Sequence, residues 1–183
     1  MRKTKKRLDY PDEEKPTFWV PTTYNSDKRF LLGRLGSNPL FAICMNPSVA
    51  SDEDCDQTVK VIIQASSKLG YDGWCVANVY PERGSYSSEV KQLEFDRALA
   101  EENCNIVANF LIEKNIKEVW GAWGDSQKPG DPIDLGKQML LKRLGEIGVQ
   151  VFYFGWLTKA GNPHHPLYLK IDSSMRNYLN LDN

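Results

Sequence analysis

The two histidines of the chain, His164 and His165, stand side by side in a proline-rich loop, and the sequence contains no others. Histidine is the side chain best suited to transfer a proton or stabilise an anion near neutral pH. Far earlier in the chain, Asn46 follows an apolar run and precedes Pro47, which holds Asn46 in an extended conformation and so fixes the direction of its amide. We expect this carboxamide and imidazole to form one functional site.

Each of these two loops follows a short apolar segment that is typical of a buried strand, at residues 40–45 and 149–154. The other predicted core elements are strands at 74–80 and 118–122 and helices at about 59–69, 88–114 and 133–147. This alternation predicts right-handed parallel crossovers and a three-layer α/β/α sandwich with about four core strands. Because the carboxyl ends of parallel strands share one edge of a sheet, the two loops are expected to meet there.

The N-terminal part is predicted to be a flexible basic arm followed by an edge hairpin. Residues 1–16 are charged and interrupted by proline, which is typical of a frayed terminus, although the basic cluster could also touch phosphate. That cluster comprises Arg2, Lys3, Lys5, Lys6 and Arg7. Residues 18–24 and 29–35 flank a turn-rich tetrad and predict the hairpin. Residues 17–183 are expected to form a single α/β domain.

The composition is that of an ordinary globular protein. With 183 residues and 41% hydrophobic content, the chain is large enough to bury one core. It contains no apolar run long enough to cross a bilayer and no secretory signal, so a cytoplasmic location without membrane contact is expected. The net charge of −1 argues against a dedicated duplex binder, so any contact with nucleic acid must rest on local charge.

The cysteines give no support for a metal centre. Cys44, Cys55, Cys75 and Cys104 form no Cys-x-x-Cys pair and have no nearby histidine, so we expect no metal and no other cofactor. Two of them fall within apolar runs, where a reduced cysteine behaves as a small hydrophobic side chain.

Four polar residues are candidate partners of the site, and each has an ordinary structural alternative. Asp56 and Thr58 are most simply an N-cap pair, but Asp56 would serve as a general base if it lay within reach of Asn46. Arg83 suits a bound phosphate or carboxylate, or else a surface salt bridge. Lys159 would hold an anion, or else lie in solvent as a loop charge.

Further candidates lie near the ends of the predicted strands. Asn78 is polar at the end of a buried strand, so it requires a hydrogen-bond partner. Trp123 and Tyr80 are candidates to stack on a base, although packing in the core is the commoner role of such aromatic residues.

An ordered series of short motifs resembles a known family. The motifs are Arg29-Phe30-Leu31-Leu32, Met45-Asn46-Pro47-Ser48, Asp56-Gln57-Thr58, Asn78 with Arg83, Glu102-Asn103, Ala122-Trp123-Gly124, Thr158-Lys159-Ala160-Gly161 and His165-Pro166-Leu167-Tyr168. The series resembles domain-of-unknown-function family 1643, found in bacteria and phages, from about residue 29 to residue 168. The family implies no particular reaction. Cys104 departs from its usual Glu-Asn-Asp pattern, so a polar role is not expected at that position here.

The chain is also distantly similar to the uracil-DNA glycosylase superfamily, which pairs an Asn-Pro loop after the first strand with a His-Pro loop after the last. The resemblance implies that Asn46 positions an attacking water and that His165 stabilises negative charge on a departing base. It also implies that Leu167 is a wedge that fills the vacated base stack. Ser48 replaces a common glycine, and Tyr168 replaces the serine expected to hold phosphate.

These observations predict a uracil-DNA-glycosylase-like domain that acts on or binds a nucleobase, nucleotide or nucleic acid, with N-glycosidic bond hydrolysis as the candidate reaction. A non-catalytic protein that binds a nucleotide or modified base is one alternative, and a nucleotide-modifying enzyme with Asp56 as base and His165 as acid is another. The predicted catalytic residues are Asn46, His165 and Asp56. The predicted substrate-binding residues are Ser48, Thr58, Asn78, Arg83, Trp123, Lys159, Leu167 and Tyr168. The sequence does not determine the oligomeric state.

Overall fold

Short apolar segments of the chain pair into one mixed sheet in the computed structural model, which describes residues 6–84, 90, 93–125 and 128–181. The strands are β1 (Phe18–Val20), β2 (Leu31–Arg34), β3 (Pro39–Cys44), β4 (Gly73–Asn78), β5 (Glu118–Gly121), β6 (Gln150–Phe154) and β7 (Arg176–Tyr178). The helices with bounds in the described ranges are α1 (Gln57–Lys68), α2 (Arg97–Glu113) and α3 (Pro132–Glu146). Short 3-10 turns span Pro166–Tyr168 and Ser173–Met175.

Four parallel strands form the centre of the sheet. The sheet order is β1-β2-β4-β3-β5-β6-β7, in which β4, β3, β5 and β6 are parallel neighbours. The chain therefore moves outward from β3 to β4 and then returns to the other side of β3 to form β5. Loops that leave adjacent strands in opposite directions open a crevice at their carboxyl ends, so the switch between β3 and β5 marks a place for a ligand.

Helices cover both faces of this parallel core. Along β3, Leu40 and Ala42 pack in the cluster that contains α1, whereas Phe41 and Ile43 pack in the cluster that contains α2 and α3. This alternation follows from the two-residue period of a strand. Because both faces are covered, the core strands are apolar throughout, and the α/β class predicted from the sequence is confirmed.

An aspartate is the N-cap residue of each of these three helices. The Asp56, Asp96 and Asp131 carboxylates accept hydrogen bonds from the backbone N–H three residues further on, at 2.9, 3.0 and 2.8 Å. The capping role expected of Asp56 is therefore confirmed. The predicted start of a helix near residue 88 falls partly on residues 85–89 and 91–92, which lie outside the described ranges. Residues 93–96 are not helical, because the Asp96 cap makes α2 begin at Arg97.

The edges of the sheet confirm one prediction and correct another. The N-terminal hairpin is present, with Trp19 opposite Leu32 in the antiparallel pair β1-β2. The described residues form a sheet of seven strands, because β7 adds an unpredicted antiparallel edge to β6. The Arg176 guanidinium lies 3.8 Å from the centre of the Phe152 ring and pairs with Glu118 at 2.5 Å. Strand β7 is short and polar and is held by these tertiary contacts. The sequence therefore shows no apolar alternation there that could have predicted it.

Part of the predicted N-terminal arm packs on the domain. Leu8 forms a backbone bridge with Cys55, and the Tyr10 ring stacks on Trp74 with 5.9 Å between ring centres. The Tyr10 hydroxyl also donates to the carbonyl of Ser51 at 2.6 Å. These contacts place residues 8–10 beside α1. Within the described residues, no helix has the length and apolar character needed to span a membrane.

Candidate functional site

A cleft with a volume of about 940 Å³ opens at the carboxyl ends of the parallel strands. All four of these strands contribute to it, through residues at their ends or in the loops that follow. The loop after β3 supplies Asn46, the loop after β5 supplies Gly124, and the loop after β6 supplies His165. Asn78 contributes from the end of β4. The volume is within the usual range for sites that hold small molecules or cofactors.

Asn46 is oriented by the backbone around it. Its Nδ2 donates to the carbonyls of Pro47 and Gly84 at 3.2 and 3.1 Å. The Gly84 N–H in turn donates to the Pro47 carbonyl at 3.0 Å, which joins the loops after β3 and β4. Both amide hydrogens are therefore used, and among the described residues no donor contacts Oδ1. The half-buried Asn46 presents a hydrogen-bond acceptor at the wall of the cleft.

His165 begins the 3-10 turn in the loop after β6. Its Nδ1 accepts a hydrogen bond from the Leu167 N–H at 3.3 Å, so the neutral imidazole carries its proton on Nε2. The Tyr168 ring lies 5.9 Å from the imidazole, between ring centres. Tyr168 is 83% exposed and Leu167 is 42% exposed, and both line the cleft. The turn thus places the imidazole at the cleft beside two exposed side chains.

Asn162 holds the histidine loop to the loop after β5, and the sequence analysis did not identify it. Its Nδ2 donates to Asp125 at 2.9 Å, and its Oδ1 accepts from the Trp123 indole at 3.2 Å. The Thr158 hydroxyl donates to the same Asp125 oxygen at 2.5 Å. Asn162 directly precedes a proline, as Asn46 does, and this was the signal that could have revealed it.

Asp56 lines the cleft at the start of α1 and is 6% exposed. Its Oδ1 is the acceptor that caps the helix, so one carboxylate oxygen has a structural role. Thr58 and Gln57 lie in the first helical turn and also line the cleft. The structure therefore gives Asp56 the capping role and also places it beside the candidate site.

A buried polar cluster lies beneath the cleft. Arg29 is 4% exposed, and its guanidinium donates to the carbonyl of Ala50 at 3.0 Å and to Asn78 Oδ1 at 3.2 Å. The Asn103 amide donates to the Asn78 carbonyl at 2.9 Å. Burial lowers the pKa of Arg29, while the negative charge of Asp56 acts in the opposite direction. The sequence analysis gave Arg29 no role in the site, because strand spacing alone does not show whether its side chain turns inward.

Comparison with known proteins places the chain in a family. A family model described as "Protein of unknown function (DUF1643)" matches residues 29–167, which is more than half of the chain. The chain belongs to this family. No curated protein and no solved structure matches it. The matched segment begins at Arg29 and ends at Leu167, and both residues line the cleft.

Most of the predicted binding residues of this DUF1643 member line the cleft. They are Ser48, Thr58, Asn78, Lys159, Leu167 and Tyr168, together with the predicted catalytic residues Asn46, Asp56 and His165. His164 lines it too. Among the described residues, no three His, Cys, Asp or Glu side chains cluster in a way that could hold a metal ion.

Arg83 and Trp123 are not among the residues that line the cleft. The Arg83 guanidinium donates to the carbonyls of Asn25, Ser48 and Ala50 at 2.8, 2.7 and 3.1 Å. Burial lowers its pKa to about 10. Arg83 therefore holds three loops together instead of presenting its charge to a ligand.

The aromatic residues expected to stack on a base are buried. Trp123 is 1% exposed and Tyr80 is fully buried, so neither ring offers a face to a ligand. Their hydrogen bonds, from the Trp123 indole to Asn162 and from the Asp96 N–H to the Tyr80 hydroxyl, are internal. Both residues pack in the core, which was the structural alternative given for them.

Cys104, for which the sequence analysis expected no polar role, lies in the core. It is 6% exposed and lies on the buried face of α2, within the apolar core. Burial raises the pKa of its thiol to about 11. All four cysteines of the chain are buried and none is in a disulfide. Cys104 acts as a small apolar side chain, whereas its neighbour Asn103 supports the polar cluster.

Proposed function

We propose that this cleft binds a nucleobase or nucleotide and hydrolyses its N-glycosidic bond, in a domain with a uracil-DNA-glycosylase-like arrangement. The observation that carries the proposal is that Asn46 and His165, from the loops after the first and last parallel strands, line one cleft. The resemblance to the uracil-DNA glycosylase superfamily implies the same arrangement, in which an Asn-Pro loop and a His-Pro loop share one site. A carboxamide acceptor and an imidazole donor are the two groups that such a reaction requires.

In the proposed reaction, the bond between the sugar C1′ and the base nitrogen breaks, and its electron pair leaves with the base. A water molecule supplies a hydroxyl to C1′, and its remaining proton ends on the base. Asn46 Oδ1 is placed to accept a hydrogen bond from this water, because Nδ2 is already bound to two carbonyls. The orientation of Asn46 is thus set before a ligand arrives, which reduces the cost of positioning the water.

His165 would stabilise the departing base. Negative charge develops on the base as the bond breaks, and a preorganised donor beside it lowers the barrier. The hydrogen bond that Nδ1 accepts from Leu167 keeps the proton of the neutral ring on Nε2, the atom that would donate to a base carbonyl. Mutational losses for single donors of this kind are about 100-fold to 1000-fold in rate.

Non-catalytic binding of the same ligands is the second candidate, and the position of Asp56 favours it. Asp56 was the expected general base, but its Oδ1 caps α1. A hydrolase would therefore rely on the second carboxylate oxygen or on solvent to accept the proton of the attacking water. A protein that only binds the ligand would need no group to accept that proton.

The test is base release from DNA, RNA and free nucleotides that carry natural and modified bases, measured by liquid chromatography. The hydrolase proposal expects release by the unmodified chain and its loss in Asn46→Ala and His165→Ala. Asn177→Ala, on β7 and exposed, is the matched control because it removes a carboxamide that is not part of the cleft lining. Saturable binding without release would support the binding protein, and the absence of both would contradict the proposed function.

A further inference from the structure

The buried guanidinium of Arg29 forms no ion pair with any described acidic side chain. Burial lowers its pKa, although the charge of Asp56 is near enough to raise it. Within the described ranges, no carboxylate lies within the 4.0 Å of an ion pair, and Arg29 Nε is buried without a hydrogen-bond partner. Its other two nitrogens bond only to neutral oxygen atoms, of Ala50 and Asn78. A buried charge is costly unless it is paired and hydrogen-bonded, so a buried arginine without an ion pair is unusual.

Asn78 offers a second unused donor beside it. Asn78 is 1% exposed, and its Oδ1 and backbone carbonyl accept from Arg29 and Asn103 respectively. Its Nδ2 is buried and has no hydrogen-bond partner. Arg29 and Asn78 both line the cleft, and the two unused donor atoms are buried in its wall. Two donors and one permanent positive charge favour an anionic oxygen group.

Two other features of the cleft favour an anion. Its lining contains three cationic residues, Lys6, Arg29 and Lys159, and two acidic residues, Asp56 and Asp125, so the local charge is positive although the whole chain carries −1. The first turn of α1 also lines the cleft, and the positive end of a helix dipole attracts negative groups.

We propose that the ligand carries a terminal phosphate, which binds against Arg29, Asn78 and the first turn of α1, so that the cleft is a site for nucleoside monophosphates. This inference rests on the proposed function and names its substrate class. Arg29 and Asn78 are deeply buried, which suits the end of a ligand better than a strand that must continue on both sides. The overall charge of −1 also does not favour a long polyanion.

The test is isothermal titration calorimetry of the unmodified chain with a matched series, comprising a free base, its nucleoside, its nucleoside monophosphate and a short single-stranded oligonucleotide of the same base. The monophosphate is expected to bind at least about tenfold more tightly than the nucleoside, as charge-assisted hydrogen bonds imply. Arg29→Lys should remove most of this preference, because lysine keeps the charge but loses the fork of donors. Arg83→Lys is the matched control, since Arg83 bonds to the same Ala50 carbonyl but is not part of the cleft lining.

The possible results separate the two proposals. Equal binding of nucleoside and monophosphate would overturn the phosphate assignment and leave the proposed function standing. Tighter binding of the oligonucleotide than of the monophosphate would overturn the assignment to a terminal phosphate. No binding by any base, nucleoside or nucleotide would remove the proposed function itself. The comparison of ligands uses the unmodified chain, so it decides the matter even if Arg29→Lys fails to fold.

Discussion

Gly124 lies directly against His165: a Cβ atom built on Gly124 would be 3.0 Å from the Cβ of His165. Gly124 also has a φ of 73°, a conformation that residues with side chains rarely adopt. Its N–H donates to the carbonyl of Pro163 at 3.0 Å, which joins the loop after β5 to the histidine loop. The position of His165 therefore depends on the absence of a side chain at residue 124.

Gly124→Ala is expected to displace His165 and weaken ligand binding or turnover by about tenfold or more, since small errors in position are costly at a reacting centre. The positive φ should also lower the free energy of unfolding by about 1 kcal/mol. Gly148→Ala is the control, because Gly148 has a φ of 68° but a Cβ there would meet no atom within 4 Å. Equal effects of both substitutions on ligand binding would show that the contact with His165 is unimportant.

Asn162→Ala is expected to lower the free energy of unfolding by about 2 kcal/mol, because it leaves the buried Trp123 indole without its acceptor. It should also reduce ligand affinity, since Asn162 connects the histidine loop to Asp125. Urea denaturation and calorimetry measure the two effects. The control is Asn177→Ala, whose amide donates to the exposed backbone carbonyls of Gly155 and Met175. An Asn162 variant with unchanged ligand affinity would refute the positioning role.

Substitutions of Asp56 separate its structural role from a chemical one. Asp56→Asn keeps an oxygen that can cap α1, whereas Asp56→Ala should cost about 1 kcal/mol of stability. If Asp56 is the general base, both variants lose base release, although the alanine variant is the less stable of the two. Asp96→Ala, which removes the matching cap of α2, should cost similar stability without affecting release. Base release retained in Asp56→Asn would exclude the carboxylate as base.

Cys104 should make the protein less stable at high pH. Its thiol pKa is raised by burial from 9.0 to about 11, so the unfolded chain loses this proton at a lower pH than the folded chain. The stabilising contribution is complete below pH 9 and is lost as the pH rises toward 11. Between pH 8 and pH 10 the loss attributable to Cys104 is about 1 kcal/mol. Urea denaturation at both pH values should show a smaller decrease in Cys104→Ala, and an unchanged decrease would contradict the prediction.

The sequence predicted the centre of the sheet and the meeting of two loops, because both follow from local patterns. Continuous apolar runs such as residues 40–45 are typical of strands that are covered on both faces. Once those strands are parallel, topology brings their carboxyl ends to one edge. The positions of Asn46 and His165 after such strands were therefore enough to predict that both line one cleft.

The remaining features depend on tertiary contacts that no local pattern records. Arg29 reaches the cleft because the hairpin places β2 antiparallel to β4, so that the Arg29 backbone bonds to Pro81 while its side chain reaches Asn78. Trp123 carries the same aromatic signal as an exposed stacking residue, but the loop after β5 turns it into the core. Strand β7 is held by Arg176, whose partners are distant in sequence.

The most direct measurement of the central claim is an NMR titration that follows the His165 imidazole and the Asn46 side-chain amide as a nucleoside monophosphate is added. Spectra of His165→Ala and Asn46→Ala assign the two sets of signals. The account predicts that both signals shift along the same saturation curve, because one ligand contacts both groups. A ligand that binds and shifts only one of them, or neither, would contradict a shared site.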